Sequence, residues 1–126
     1  MEWIEGSQIN EVYEQGQVAG AIQAGPRLIT DGKKTVNPLA EGFKDPKILS
    51  NSGARSAIGI TKDHYLILLT TSGATIPQLA DLMLQAGAVN AMNLDGGASS
   101  GLVYNGQYIT KPGRDISNAL LILVDN

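Results

Sequence analysis

The sequence predicts an α+β fold, a mixed and mostly antiparallel sheet carrying one or two packed helices, and three observations support it. Apolar runs of strand length recur at 54–61, 65–71 and 88–92. The dipeptides Asp31-Gly32 and Asn105-Gly106 mark hairpin turns, because both accept the backbone twist that matches paired strands. A firm helical stripe is confined to one stretch, where Leu79, Leu82, Met83 and Ala86 share a face between a capping Thr75 and a terminating Gly87. Several short strands with one good helix make a layered sheet-and-helix domain.

Taken in order, residues 1–17 are polar, with Ser7 placed to cap a short helix through Ile9, Val12 and Tyr13. Trp3 reads as a packing anchor before it reads as a sugar platform. Residues 18–24 turn apolar and small, Gly25-Pro26 ends that run, and a strand at 27–30 enters the Asp31-Gly32 hairpin. Residues 37–53 hold two prolines and two glycines without a sustained period, which predicts a long loop of the kind that often carries function. Lys62-Asp63-His64 joins two strands as a turn, and His64 is expected in solvent. Leu66, Ile67, Leu68 and Leu69 are apolar on both faces, which predicts a central strand covered on each side. Pro77 fits the first turn of the helix after Thr75. Met83 and Met92 fall within apolar runs and read as core filler. Strands at 102–104 and 107–110 flank Asn105-Gly106, residues 111–115 turn, and 116–124 is expected to close the domain as a strand.

Composition narrows the partners. The 126 residues form one domain. A net charge of −3 with scattered Lys and Arg argues against a nucleic-acid groove or an anionic membrane surface as main partner. The apolar runs are too short for membrane insertion. The absence of cysteine excludes disulfides and thiolate metal sites, and one histidine leaves no zinc ligand set. No metal ligand or cofactor is assigned; no loop has the acid density of a calcium motif, and a carboxylate-and-carbonyl site for a hard cation stays open. Nothing near Met1 resembles a signal peptide, and the compartment stays open.

The densest polar segment is Asn-Leu-Asp-Gly-Gly-Ala-Ser-Ser-Gly at 93–101, set between two strands. One acid, three glycines and two hydroxyls suit a place where backbone N–H groups approach a ligand. Plain turn chemistry, with aspartate bonding its own backbone, accounts for the same residues equally well. The string Gly97-Ala98-Ser99-Ser100-Gly101 also fits a serine-hydrolase nucleophile elbow, but no histidine follows Ser99 and the segment leads into a strand, not a helix. A phosphate-binding P-loop fails too, since its Lys-Ser/Thr ending is missing.

Four blocks, in order and spacing, resemble the phosphodiester glycosidase domain family. They are Gln-Ala-Gly-Pro-Arg-Leu-Ile at 23–29, Arg-Ser-Ala-Ile-Gly-Ile-Thr at 55–61, the 93–101 segment, and Arg114 with Ile-Ser-Asn-Ala-Leu at 116–120. The resemblance runs from about 21 to 124. It implies cleavage of a sugar-1-phosphodiester with release of an N-acetylglucosamine-like sugar. Such a substrate needs a holder for its phosphate and a carboxylate for the anomeric carbon. On this reading Asp95 is the catalytic carboxylate, and Arg55 and Arg114 are the forks for phosphate oxygens. The N–H groups of Gly96 and Gly97 with the hydroxyls of Ser99 and Ser100 form an anion-binding concavity. Ser117 and Asn118 either contact substrate or brace the closing turn. Arg27 is a weaker candidate.

The resemblance has two departures. Ala98 stands where many relatives carry a third glycine. The family's preceding strand-rich segment, with an Asn-Gly-rich aromatic motif, has no counterpart here, and Phe43 sits in a different context. The chain thus resembles the C-terminal part of such a domain. That opens an alternative, a catalytically silent carbohydrate- or phosphate-binding module, or an oligomeric structural domain that pairs its sheet edge with another copy. The expected partner is a phosphorylated or glycosylated small molecule or glycan, with a homo-oligomer as a further expectation. Relatives are often exported or envelope-associated, which no residue here reveals.

Overall fold

A computed structural model describes residue 4, residues 6–16, residue 18 and residues 20–124, so Trp3 lies outside the described residues. Five strands form the main sheet: β1 (Arg27–Thr30), β2 (Lys33–Lys34), β3 (Gly53–Thr61), β4 (Leu66–Ala74) and β5 (Ala88–Asn93). Their order is β2-β1-β5-β3-β4, and each described pairing is antiparallel. A separate ribbon pairs β6 (Leu102–Tyr104) with β7 (Gln107–Thr110). The helices are α1 (Ile9–Glu14), α2 (Pro46–Leu49) and α3 (Ile76–Gln85). The α+β expectation holds.

The core forms where α3 lies on one face of the sheet. Ile76, Leu79, Ala80 and Met83 pack against Leu28, Ile29, Ala57, Ala88 and Ala91. The alanines at 57, 88 and 91 place small side chains under the helix, so it seats closely. Burial of each large side chain contributes about 1.5–3 kcal/mol. The start of α3 is set by a reciprocal cap: Thr75 Oγ1 accepts from the Gln78 amide at 3.3 Å, and Gln78 Oε1 accepts from the Thr75 amide at 2.9 Å. Thr75→Ala is expected to lower stability by about 1 kcal/mol in chemical denaturation, because one orphan amide loses its acceptor.

Both hairpin dipeptides fold as their chemistry requires. Asp31 and Gly32 take φ of 49° and 75°, and Asn105 and Gly106 take 49° and 74°. His64 sits at φ 66° in the β3–β4 turn and is exposed, as expected. Among the described residues no helix is long and apolar enough to cross a membrane.

Four expectations are corrected. The loop at 37–53 contains α2, which Asp45 starts by accepting from the Lys47 amide at 2.9 Å with Pro46 in the first turn. The cap of α1 is Gln8, whose side chain makes no capping hydrogen bond, and Ser7 lies in a preceding 3-10 turn. The strand read as central, β4, is at the sheet edge, with Leu66 and Leu68 each 39 % exposed. The strand touches the β6–β7 ribbon through Thr70 Oγ1 and Thr110 Oγ1 at 2.6 Å. Residues 116–124 form no strand: they run without regular structure and exposed.

Candidate functional site

Strand β5 delivers Asp95 just beyond its end, and neighbouring backbone holds that exit in place. The Asn93 amide donates to the Pro26 carbonyl at 3.0 Å and the Leu94 amide donates to the Ser56 carbonyl at 2.8 Å, so the loop is tied to the entry of β1 and to β3. Gly96 then passes so close to β3 that an added Cβ would lie 2.8 Å from the Ala54 carbonyl oxygen. Gly97 has φ +60° and opens a 3-10 turn, Gly97–Ser99, that residues with side chains enter at a cost. The glycines thus let the chain approach itself as well as any ligand. Gly96→Ala is expected to cost about 1–3 kcal/mol, since the obstruction is backbone and cannot rotate away; urea unfolding measures it.

Several residues predicted from sequence do gather here. The Asp95 carboxylate accepts from the Gly96 amide at 3.0 Å through Oδ1. Its Oδ2 lies 3.7 Å from Nη2 of Arg114, and Nε of Arg114 donates to Ser99 Oγ at 2.7 Å. The Gly113 amide donates to the Ala98 carbonyl at 2.9 Å, which fixes the turn bearing Arg114 onto the Asp95 loop. Ser100 is buried, and its hydroxyl has no partner among the described residues. Ser117 and Asn118 are exposed in the irregular segment after Arg114, and neither makes a side-chain hydrogen bond among the described residues.

On the inner side of the loop lies a cleft of about 320 Å³, within the range of small-molecule sites. Its walls include Gly25, Phe43, Arg55, Asn93, Asp95 and Gly96. Arg55 is only 5 % exposed. Its Nε donates to the Ala74 carbonyl at 3.0 Å, and its Nη2 donates to the carbonyls of Lys47 and Asn51 at 2.5 and 2.7 Å. Three of five N–H groups are thereby committed, and both on Nη1 carry no bond among the described residues. No carboxylate pairs with Arg55 among the described residues, and burial pulls its pKa below the ordinary guanidinium value. Neither a surface acid nor a free solvent face occupies it.

Two cleft residues escaped the sequence reading. Asn93 is 3 % exposed: its Nδ2 donates to the Gly25 carbonyl at 2.9 Å, while Oδ1 has no partner. An amide closing an apolar strand, two residues before Asp95, was its available signal. Phe43 has no local signal, and the fold alone brings its ring to Gly25, where an added Cβ would lie 3.1 Å from Cζ.

Comparison with known proteins bears on the family and the fold. The sequence model described as phosphodiester glycosidase matches residues 4–123. The mouse protein named N-acetylglucosamine-1-phosphodiester α-N-acetylglucosaminidase is 35% identical over 72 residues, covering 52% of this chain and 14% of the mouse protein. A crystal structure of a hypothetical protein from Synechocystis is 35% identical with a TM-score of 0.64, over 71% of this chain and 18% of that one. The zebrafish N-acetylglucosamine-1-phosphodiester α-N-acetylglucosaminidase catalytic domain, auto-inhibited by its pro-peptide, is 26% identical with a TM-score of 0.61, over 72% of this chain and 34% of that one. The match thus spans a minor part of each of these relatives.

Proposed function

The chain belongs to the phosphodiester glycosidase family, and from that premise we propose that the cleft beside Asp95 binds a sugar-1-phosphodiester and releases its sugar, an N-acetylglucosamine-like residue. The observation that supports this reading is one cleft shared by a buried guanidinium lacking a carboxylate partner and the carboxylate of Asp95. A phosphodiester is the complementary ligand, an anion joined to an anomeric carbon. The free Nη1 of Arg55 donates to a phosphate oxygen, and the negative charge offsets the burial of the cation. The orphaned Oδ1 of Asn93 accepts from a sugar hydroxyl or an acetamido N–H.

In the proposed reaction a water oxygen adds to the anomeric carbon while the bond from that carbon to the phosphate oxygen breaks. The bonding electron pair stays on the phosphate, which leaves as a monoester, and the water proton passes to Asp95. Phosphate needs little protonation to leave when its charge is held, so one carboxylate suffices. Arg114 and Ser99, at the outer lip, steady that carboxylate from the solvent side.

Asp95 is the single acid in the cleft lining among the described residues, which also favours a second reading, binding without turnover, because most glycosidases use two carboxylates. One assay separates the two. N-acetylglucosamine-1-phosphodiester is incubated with the chain, free sugar is quantified by chromatography, and binding is measured in parallel by calorimetry. Saturable sugar release is expected. Binding without release selects the silent module, and neither from folded protein rejects the cleft as the site.

A further inference from the structure

We propose that two copies of this chain pair by reciprocal strand addition, residues 116–124 of each lying along the free edge of β4 in the other. The acceptor is a nine-residue strand that pairs with β3 on one side only. Edge strands of monomers are ordinarily protected by lysine, proline or inward charge. Strand β4 has none of these: Leu66–Ala74 contains neither a charged residue nor a proline. A groove of about 410 Å³ opens at its far end, between Thr71, Gly73 and Ala74 of the edge and Gln78 and Leu82 of α3. An edge strand beside a helix is the setting in which extended segments add to sheets.

The donor has matching chemistry. Residues 116–124 carry no charge, and Ala119 to Val124 are six consecutive apolar residues. Leu121 is 72 % exposed and Leu123 83 % exposed, outside any regular structure. Such a run, apolar on both sides, suits a strand enclosed by neighbours and not a solvated tail. Donor and acceptor have equal length and sit on one chain, so a two-fold pair satisfies both edges at once and closes. Each pairing hides a strip about 30 Å long and about 10 Å thick on both strands, and two pairings bury about 1,200 Å², the lower bound of a stable interface.

The test is the mass of the full chain by light scattering across concentration, with two charged variants. Wild type is expected at twice the 13.2 kDa monomer. Leu121→Lys disables the donor and Leu68→Lys guards the acceptor edge, and each alone is expected to run as a monomer with unchanged circular dichroism. A monomeric wild type overturns the proposal and points to the segment folding back onto its own edge, and a dimer that persists in Leu121→Lys or Leu68→Lys overturns it as well, because the contact then does not use that strand. Assemblies that grow without limit overturn the closed pair.

Discussion

Asp95→Asn is expected to lower sugar release from N-acetylglucosamine-1-phosphodiester by about 10²–10⁴-fold while leaving the melting temperature unchanged. The chemical loss follows from the proposed role: the amide cannot take the water proton and cannot offset positive charge at the anomeric carbon. The structural neutrality follows from geometry. The Asp95 side chain is 80% exposed, and the asparagine Oδ1 still accepts from the Gly96 amide. What disappears is the contact with Arg114 at 3.7 Å, between two solvated groups, and such pairs contribute little to stability. Initial rates and a thermal melt on one preparation check both halves. An unchanged rate removes Asp95 from the chemistry; a collapsed melt would mean that the loop needs the charge to fold.

Features written in two to four neighbouring residues were legible before the structure. Asp31-Gly32 and Asn105-Gly106 turn as their positive φ angles demand, and Thr75 with Gln78 starts α3, because each depends on bonds made within the segment. The loop at 93–101 was equally visible, as its glycines and hydroxyls are adjacent. Features set by tertiary partners were not. The apolar pattern of β4 is the same whether a strand is central or awaits a neighbour, so periodicity alone could not place it at the edge. The exposed segment 116–124 poses the same ambiguity from the other side. Phe43 reaches the cleft across a loop, and no spacing in sequence encodes that approach. Arg55 stood out in the sequence as a site candidate, and its three carbonyl partners come from α2, the residue after α2 and its cap, and the end of β4, which only the fold assembles.

Arg55→Met is expected to destabilise the chain by about 1–3 kcal/mol, a sizeable share of the about 5–15 kcal/mol that holds a domain of this size. The guanidinium is the common donor for Lys47, Asn51 and Ala74, and a thioether leaves those carbonyls without it in a buried corner. Arg55→Lys should recover little, because a compact ammonium cannot span acceptors that diverge from a planar fork. That much is structural and tests nothing about a ligand. The ligand enters through the two uncommitted Nη1 hydrogens: if they face a phosphate in the cleft, inorganic phosphate binds the native state and stabilises it by about 1.4 kcal/mol at ten times its Kd. Wild type is then expected to melt higher in phosphate than in an equal concentration of chloride at matched ionic strength. Arg55→Lys, studied at a temperature where it remains folded, is expected to show no such gain. An equal phosphate gain in both proteins would make Arg55 a brace for α2 and β4 and move the anion site elsewhere. A gain confined to wild type would join the two roles: the contacts that fix the guanidinium also leave one edge of it aimed, dry and unpaired, at the ligand.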